Sequence, residues 1–359
     1  MKGKTFLLAS AAAVMVAVSS APASAGEWWE STKISGRMYY DMTNIDHQRW
    51  SIDQTDNGFS FDIKRFYVGI DHKFNDVFSA DVTTDFKYDA GAGATQVYIK
   101  KAYLEANLSP MLDIRLGSTD LPWVPFVEGI NGYRYVEHVL IDRVKFGTSA
   151  DWGVHFKGKF ANGIIQYAIS VVNGAGYKKP LRTDGVDVEG RLSAHWNGIT
   201  LAVGGYDGHL GVMHGTPTHH DATRFDALAA YTGHGVRVGF EYFKANNWMQ
   251  VTSVTGDSAD GYSAFASYQF TPEWGVFGRY DWVNPSNDIH PDLQEEFYNF
   301  GIAYTPYKMI DFALVYKHDK ADHGYLATEN GTIGGYAFVP GPIGEGTYDE
   351  VGIFGRLRW

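Results

Sequence analysis

From residue 32 to its last residue the chain alternates apolar and polar side chains in sixteen segments of roughly 8 to 14 residues each. A period of two puts successive side chains on opposite faces of a β-strand. The segments fall at 32–41, 59–73, 77–88, 96–108, 112–118, 149–160, 164–173 and 186–196. They continue at 199–207, 224–231, 236–245, 261–270, 274–283, 295–304, 309–317 and 347–359. In 186–196, Val186, Val188, Leu192, Ala194 and Trp196 share one face, and Asp187, Glu189, Arg191, Ser193 and His195 the other.

The connections alternate as well. Seven are short, at 74–76, 109–111, 161–163, 197–198, 233–235, 271–273 and 305–307, and each holds Asn, Asp, Gly or Pro where tight turns need them. Eight are longer. Seven short and eight long connections suit sixteen up-and-down strands with both ends on the short-turn side. That pattern predicts an all-β fold, a 16-stranded antiparallel transmembrane β-barrel. A soluble sandwich would alternate too, with its apolar face inward. The even strand lengths, and aromatics near strand ends (Tyr268, Phe270, Tyr280, Trp282, Tyr304, Tyr307), favour interfacial girdles and a barrel.

Residues 1–25 read as a signal peptide: Lys2 and Lys4, an apolar run at 6–18, and the small residues Ala23, Ser24 and Ala25. Cleavage would leave a single barrel domain at 26–359, exported to the outer membrane of a Gram-negative bacterium. The chain has no cysteine, which argues against a disulfide scaffold. Its formal net charge of −11 speaks against nucleic acid as a partner. No GxxxxGK, GxSxG or HExxH occurs, no cofactor is implied, and the chain does not read as an enzyme.

The longest interruption in the first half is 117–147, GSTDLPWVPFVEGINGYRYVEHVLIDRVKFG. So long a segment without a strand pattern is odd in a compact soluble domain. In a barrel it can fold inward as a constriction loop. Its charged candidates are Arg134, Arg143 and Lys145 on an anion-attracting side, opposed by Glu128, Glu137 and Asp142, with His138 beside them. By alternation the pore wall receives Arg37, Arg65, Lys101, Arg115, Arg191 and Arg279. Lys157, Arg237, Arg356 and Arg358 should point inward too, as should Asp41, Asp85, Glu105, Asp113, Glu189, Glu241, Asp281 and Asp311. Lys64-Arg65 and Lys100-Lys101 are adjacent pairs at which the alternation changes phase, so a β-bulge is expected at each.

Three stretches carry a family resemblance: SGRMYYD at 35–41, FDIKRFYVGIDHKF at 61–74, and the run from Lys100 to Arg143. They resemble the phosphate-selective porin O and P family of bacterial outer-membrane porins. The resemblance implies a sixteen-stranded homotrimer whose third long loop folds into the channel, with phosphate as substrate. Members that select phosphate rely on a ladder of arginines and a cluster of lysines. Here basic and acidic inward positions roughly balance, a departure from that pattern.

The expected function is therefore a porin, a passive channel for small ions and solutes, with inorganic anions such as phosphate among them and outer-membrane lipid around it. The alternatives are a non-selective or cation-preferring general porin, and a barrel serving mainly as a surface or adhesion protein. The loop at 209–221 holds His209, His214, His219, His220 and Asp221, but at spacings that match no closed metal site.

Overall fold

The computed structural model describes residues 28–89, 93–335 and 344–359, so the signal-peptide reading lies outside the described residues. The first strands are β1 (Thr32–Arg49), the two-residue β2 (Ile52–Asp53), β3 (Gly58–Lys73), β4 (Phe78–Asp89), β5 (Ala94–Ser109) and β6 (Leu112–Asp120). Next come β7 (Ala150–Phe160), β8 (Ile165–Val172), β9 (Asp187–Trp196), β10 (Ile199–Gly208), β11 (Ala222–Gly233) and β12 (Val236–Asn246). The rest are β13 (Ser258–Gln269), β14 (Trp274–Asn284), β15 (Gln294–Tyr307), β16 (Ile310–Asp322), β17 (Tyr325–Thr328), β18 (Gly331–Gly334) and β19 (Gly346–Arg358).

Sixteen of these, β1, β3 to β16 and β19, pair antiparallel with their neighbours. β19 pairs with β1 from Arg37↔Arg358 to Arg49↔Gly346 and closes the sheet. The fold is the expected 16-stranded antiparallel barrel. Among the described residues, closure pairs each of the sixteen barrel strands on both sides, which is what allows a sheet to sit in hydrocarbon. Side chains sort by face as the alternation requires: Leu201, Val203, Phe240 and Leu314 are exposed on the outer wall, and Asp226, Asp281, Lys317 and Glu350 are buried inside.

Both bulges are present. Tyr39 pairs with Arg65 and Tyr40 with Ile63, so Lys64 is the extra residue of β3. Thr83 pairs with Lys101 and Thr84 with Ile99, so Lys100 is the extra residue of β5. Each bulge restores the phase and keeps a lysine out of the lipid face.

Two details differ from the sequence reading. The seventh short turn is not at 305–307, because β15 continues to Tyr307 through an irregular pairing between Tyr304 and Tyr307. Pro306 has no N–H for the ladder, while Thr305 is held by its N–H to the Glu273 carbonyl and by its hydroxyl to Asp311. The long connection after β16 also contains a hairpin, β17 and β18, whose Glu329-Asn330 turn was not anticipated.

Candidate functional site

The segment between β6 and β7 contains two helices, α1 (Val124–Asn131) and α2 (Leu140–Arg143). Pro125 sits in the first turn of α1, where a missing N–H costs nothing. Gly132 ends the helix at φ 86°, and a Cβ there would lie 2.7 Å from Arg237 Nη1.

One face of this segment is apolar. Trp123, Val124, Val127, Val139, Leu140, Ile141, Val144 and Phe146 are buried together with Ala202, Leu228, Phe243 and Trp248 of the β10 to β13 region. Gly204 on β10 leaves room for the Trp123 ring, since a Cβ there would lie 2.6 Å from it. Polar anchors frame the contact. The Trp123 N–H donates to Glu189 at 2.9 Å and its indole N–H to Glu241 at 2.8 Å. Arg191 donates to the Pro122 carbonyl and lies 3.7 Å over the Phe126 ring. Arg224 donates to the Phe146 carbonyl, and Tyr133 stacks on Phe277 of β14 with centroids 4.0 Å apart.

The sequence-derived candidates divide accordingly. Arg143 was expected at the narrowing, but it is fully buried between Asp281, Glu295 and Asp319 on β14, β15 and β16. A cation that would cost several kcal/mol to bury alone is there because three carboxylates meet it. Glu137 is likewise buried, paired with Lys317 at 3.2 Å. Arg279 pairs with Asp281 and donates to the His138 carbonyl. Arg65 pairs with Asp85 at 2.7 Å, and Arg115 lies 3.5 Å from Glu105 and 3.8 Å from Asp113. Lys145 is exposed, and its carbonyl accepts from Trp248.

The other candidates meet at open space. A cavity of about 700 Å³ lies between the segment and the wall of β1, β3, β4 and β5. Seven basic residues line it, Arg37, Lys100, Lys101, Arg134, Arg237, Arg356 and Arg358, against three acidic ones, Asp81, Asp120 and Glu128. A smaller cavity of about 160 Å³ continues toward the long-loop end, lined by Asp62, Lys64, Arg65, Lys87, His138 and Glu329 among others. Tyr39 and Arg134 line both cavities. Arg134 is held by Glu128 at 2.5 Å, and Lys101 by Asp120 at 2.5 Å. Lys100, turned in by its bulge, lies 5.1 Å over the Tyr67 ring.

The loop groups beside this path are perturbed. Burial, with Arg134 adding to it, pushes the His138 imidazole down to about 3, so it is neutral at pH 7. Burial pushes the Asp142 carboxyl up to about 6 against the pull of Arg134, with Glu128 and Glu329 as like charges. Glu329 is held down at about 2 because His138, Lys87 and Arg65 outweigh the cost of its burial.

Sequence reasoning missed Tyr39, Tyr67, Asp81, Asp120 and Glu329. The signal for the packing side was present: the inward positions of β10 to β14 include Ala202, Leu228, Phe243, Phe265 and Phe277, too apolar for a wetted wall. In the histidine loop, His209 pairs with Asp221 and His214 with Asp184. Among the described residues no group of three or more metal-ligating side chains is assembled.

These features define a closed barrel with an internal segment and a basic cavity beside it. Solved structures with the same fold include an anion-selective porin from Comamonas acidovorans, at TM-score 0.66 and 11% identity over 92% of this chain and 99% of that one. The outer membrane channel DcaP of Acinetobacter baumannii matches at TM-score 0.63 and 12% identity, over 91% and 97% of the two chains. In vitro folded OmpT of Vibrio cholerae, an outer membrane protein in trimer form, matches at TM-score 0.59 and 12% identity, over 91% and 99%. No protein-family model matches the sequence, and no curated protein matches it significantly.

Proposed function

We propose that this chain is an outer-membrane porin of a Gram-negative bacterium, a passive channel for small hydrophilic solutes and ions with a preference for anions. The observation that carries the reading is the lining of the larger cavity, seven basic residues against three acidic. A water-filled lumen removes most of the cost of taking an ion across hydrocarbon, and fixed charges then bias which sign enters. The narrowing is assigned to the passage between the third long loop and the wall, with Arg134 and Tyr39 at its centre because they line both cavities.

Homotrimeric assembly and inorganic phosphate as one substrate belong to the same reading. The family resemblance of the stretches at 35–41, 61–74 and 100–143 supports both, and one similar structure is itself described as an anion-selective porin. Deleting residues 127–139 tests the constriction. Single-channel conductance should rise, and an unchanged conductance would remove the loop from that role.

A further inference from the structure

We infer that Glu329, at the tip of the β17–β18 hairpin, is a second selectivity element in series with the third long loop, a fixed carboxylate that offsets part of the basic charge of the outer mouth. The inference rests on the channel reading above and adds to it a residue from a different loop.

The hairpin is tied down at both ends. At its base, Ile333 is buried against Ala321 and Tyr348, Arg49 donates to the Gly334 carbonyl at 3.0 Å, and His47 Nε2 lies 3.1 Å from the Thr332 carbonyl. At its tip, the Glu329 N–H donates to the Arg143 carbonyl at 2.9 Å. Arg143 is itself locked to three carboxylates of β14, β15 and β16, so the tip rests on a rigid support. The hairpin therefore crosses from β16 and β19 to the third loop, and its turn does not hang free at the surface.

The Glu329 carboxylate faces the basic side of the smaller cavity. It lies 3.3 Å from Lys87 Nζ, 3.9 Å from Arg65 and 3.6 Å from His138 Nε2. Arg65 has a second acidic partner in Asp85, whereas the ion pair of Lys87 is with Glu329. Of the other carboxylates near by, Glu137 is committed to Lys317 and Asp85 to Arg65. An ion entering from the long-loop end thus meets Lys87 and Arg65 with their charge partly cancelled before it reaches Arg134. Removing the carboxylate while keeping the backbone anchor would expose that charge.

The test compares wild type with Glu329→Gln and Glu329→Asp in planar bilayers, reading both conductance and zero-current potential under a KCl gradient. Glutamine keeps the shape and the backbone hydrogen bond to Arg143. It should raise the anion-to-cation permeability ratio by about twofold, with conductance little changed. Aspartate should stay near wild type. An unchanged ratio in Glu329→Gln would overturn the inference, as would a large rise in conductance with no change in ratio, which marks a plug rather than a charge. The wild-type sign alone decides the anion-channel reading, and the difference between wild type and variant decides this one.

Discussion

Arg143 and Glu295 are joined by two parallel hydrogen bonds, Nη1 to Oε1 at 2.5 Å and Nη2 to Oε2 at 3.2 Å. The pair links the third long loop to β15, and Asp281 and Asp319 complete the enclosure. Loop position is thus fixed by buried charge on one side and by the Trp123 cluster on the other. Arg143→Met leaves Glu295 and Asp319 buried without their cation and Asp281 with Arg279 alone, a loss of about 3–5 kcal/mol. Equilibrium unfolding in detergent, followed by heat-modifiable gel migration, should show that loss, and the variant channel should fluctuate in conductance.

Arg134 has the opposite character, because it reaches the open path and is balanced by Glu128 alone among its ion pairs. Arg134→Ala should widen the passage and leave the Glu128 carboxylate unopposed. Conductance should rise and anion preference fall, both read from single channels. The fold should be retained, since the pair borders the open cavity and the Trp123 cluster and the Arg143 ion pairs still hold the segment.

The contact of Gly204 with Trp123 gives a steric test. In Gly204→Val the new side chain would start 2.6 Å from the indole ring and force Trp123 off Glu189 and Glu241. The expected cost is of order 1–3 kcal/mol, as for other overpacked cores. Trp fluorescence should shift as the ring leaves its buried site, and conductance should change with it.

Asp142 sets a pH dependence. Its carboxyl is raised to about 6, so it is charged at pH 7.5 and neutral at pH 5. Protonation removes a negative charge beside Arg134 and Lys100, while His138, pushed down to about 3, stays neutral throughout and Glu128 and Glu329 continue to face the site. Anion preference should therefore increase as pH falls through about 6. The step should vanish in Asp142→Asn. The same sign holds for stability, since a carboxyl with a raised folded value penalises the fold above it and relieves that penalty below it.

Most of the barrel was legible because strand structure is a local property of the period-two pattern. The Lys64-Arg65 and Lys100-Lys101 pairs even marked the bulges, since two adjacent lysine or arginine side chains cannot both face the lumen on a regular strand. The site was less legible. Arg134 and Arg143 sit nine positions apart in one loop with the same charge, and only tertiary packing decides that one reaches water and the other is enclosed. The hairpin tip at Glu329 meets Lys87 across 242 positions, a pairing no local pattern records. Its local half could have been read, because Tyr325–Thr328 and Gly331–Gly334 flank a two-residue turn.

The most direct measurement is the zero-current potential of the purified wild-type protein in a planar bilayer under a KCl gradient. The basic lining of the larger cavity predicts a potential of the sign set by chloride, reduced when inorganic phosphate competes for the path. A potential set by potassium would contradict the account and make the lumen charge follow the acidic chain as a whole.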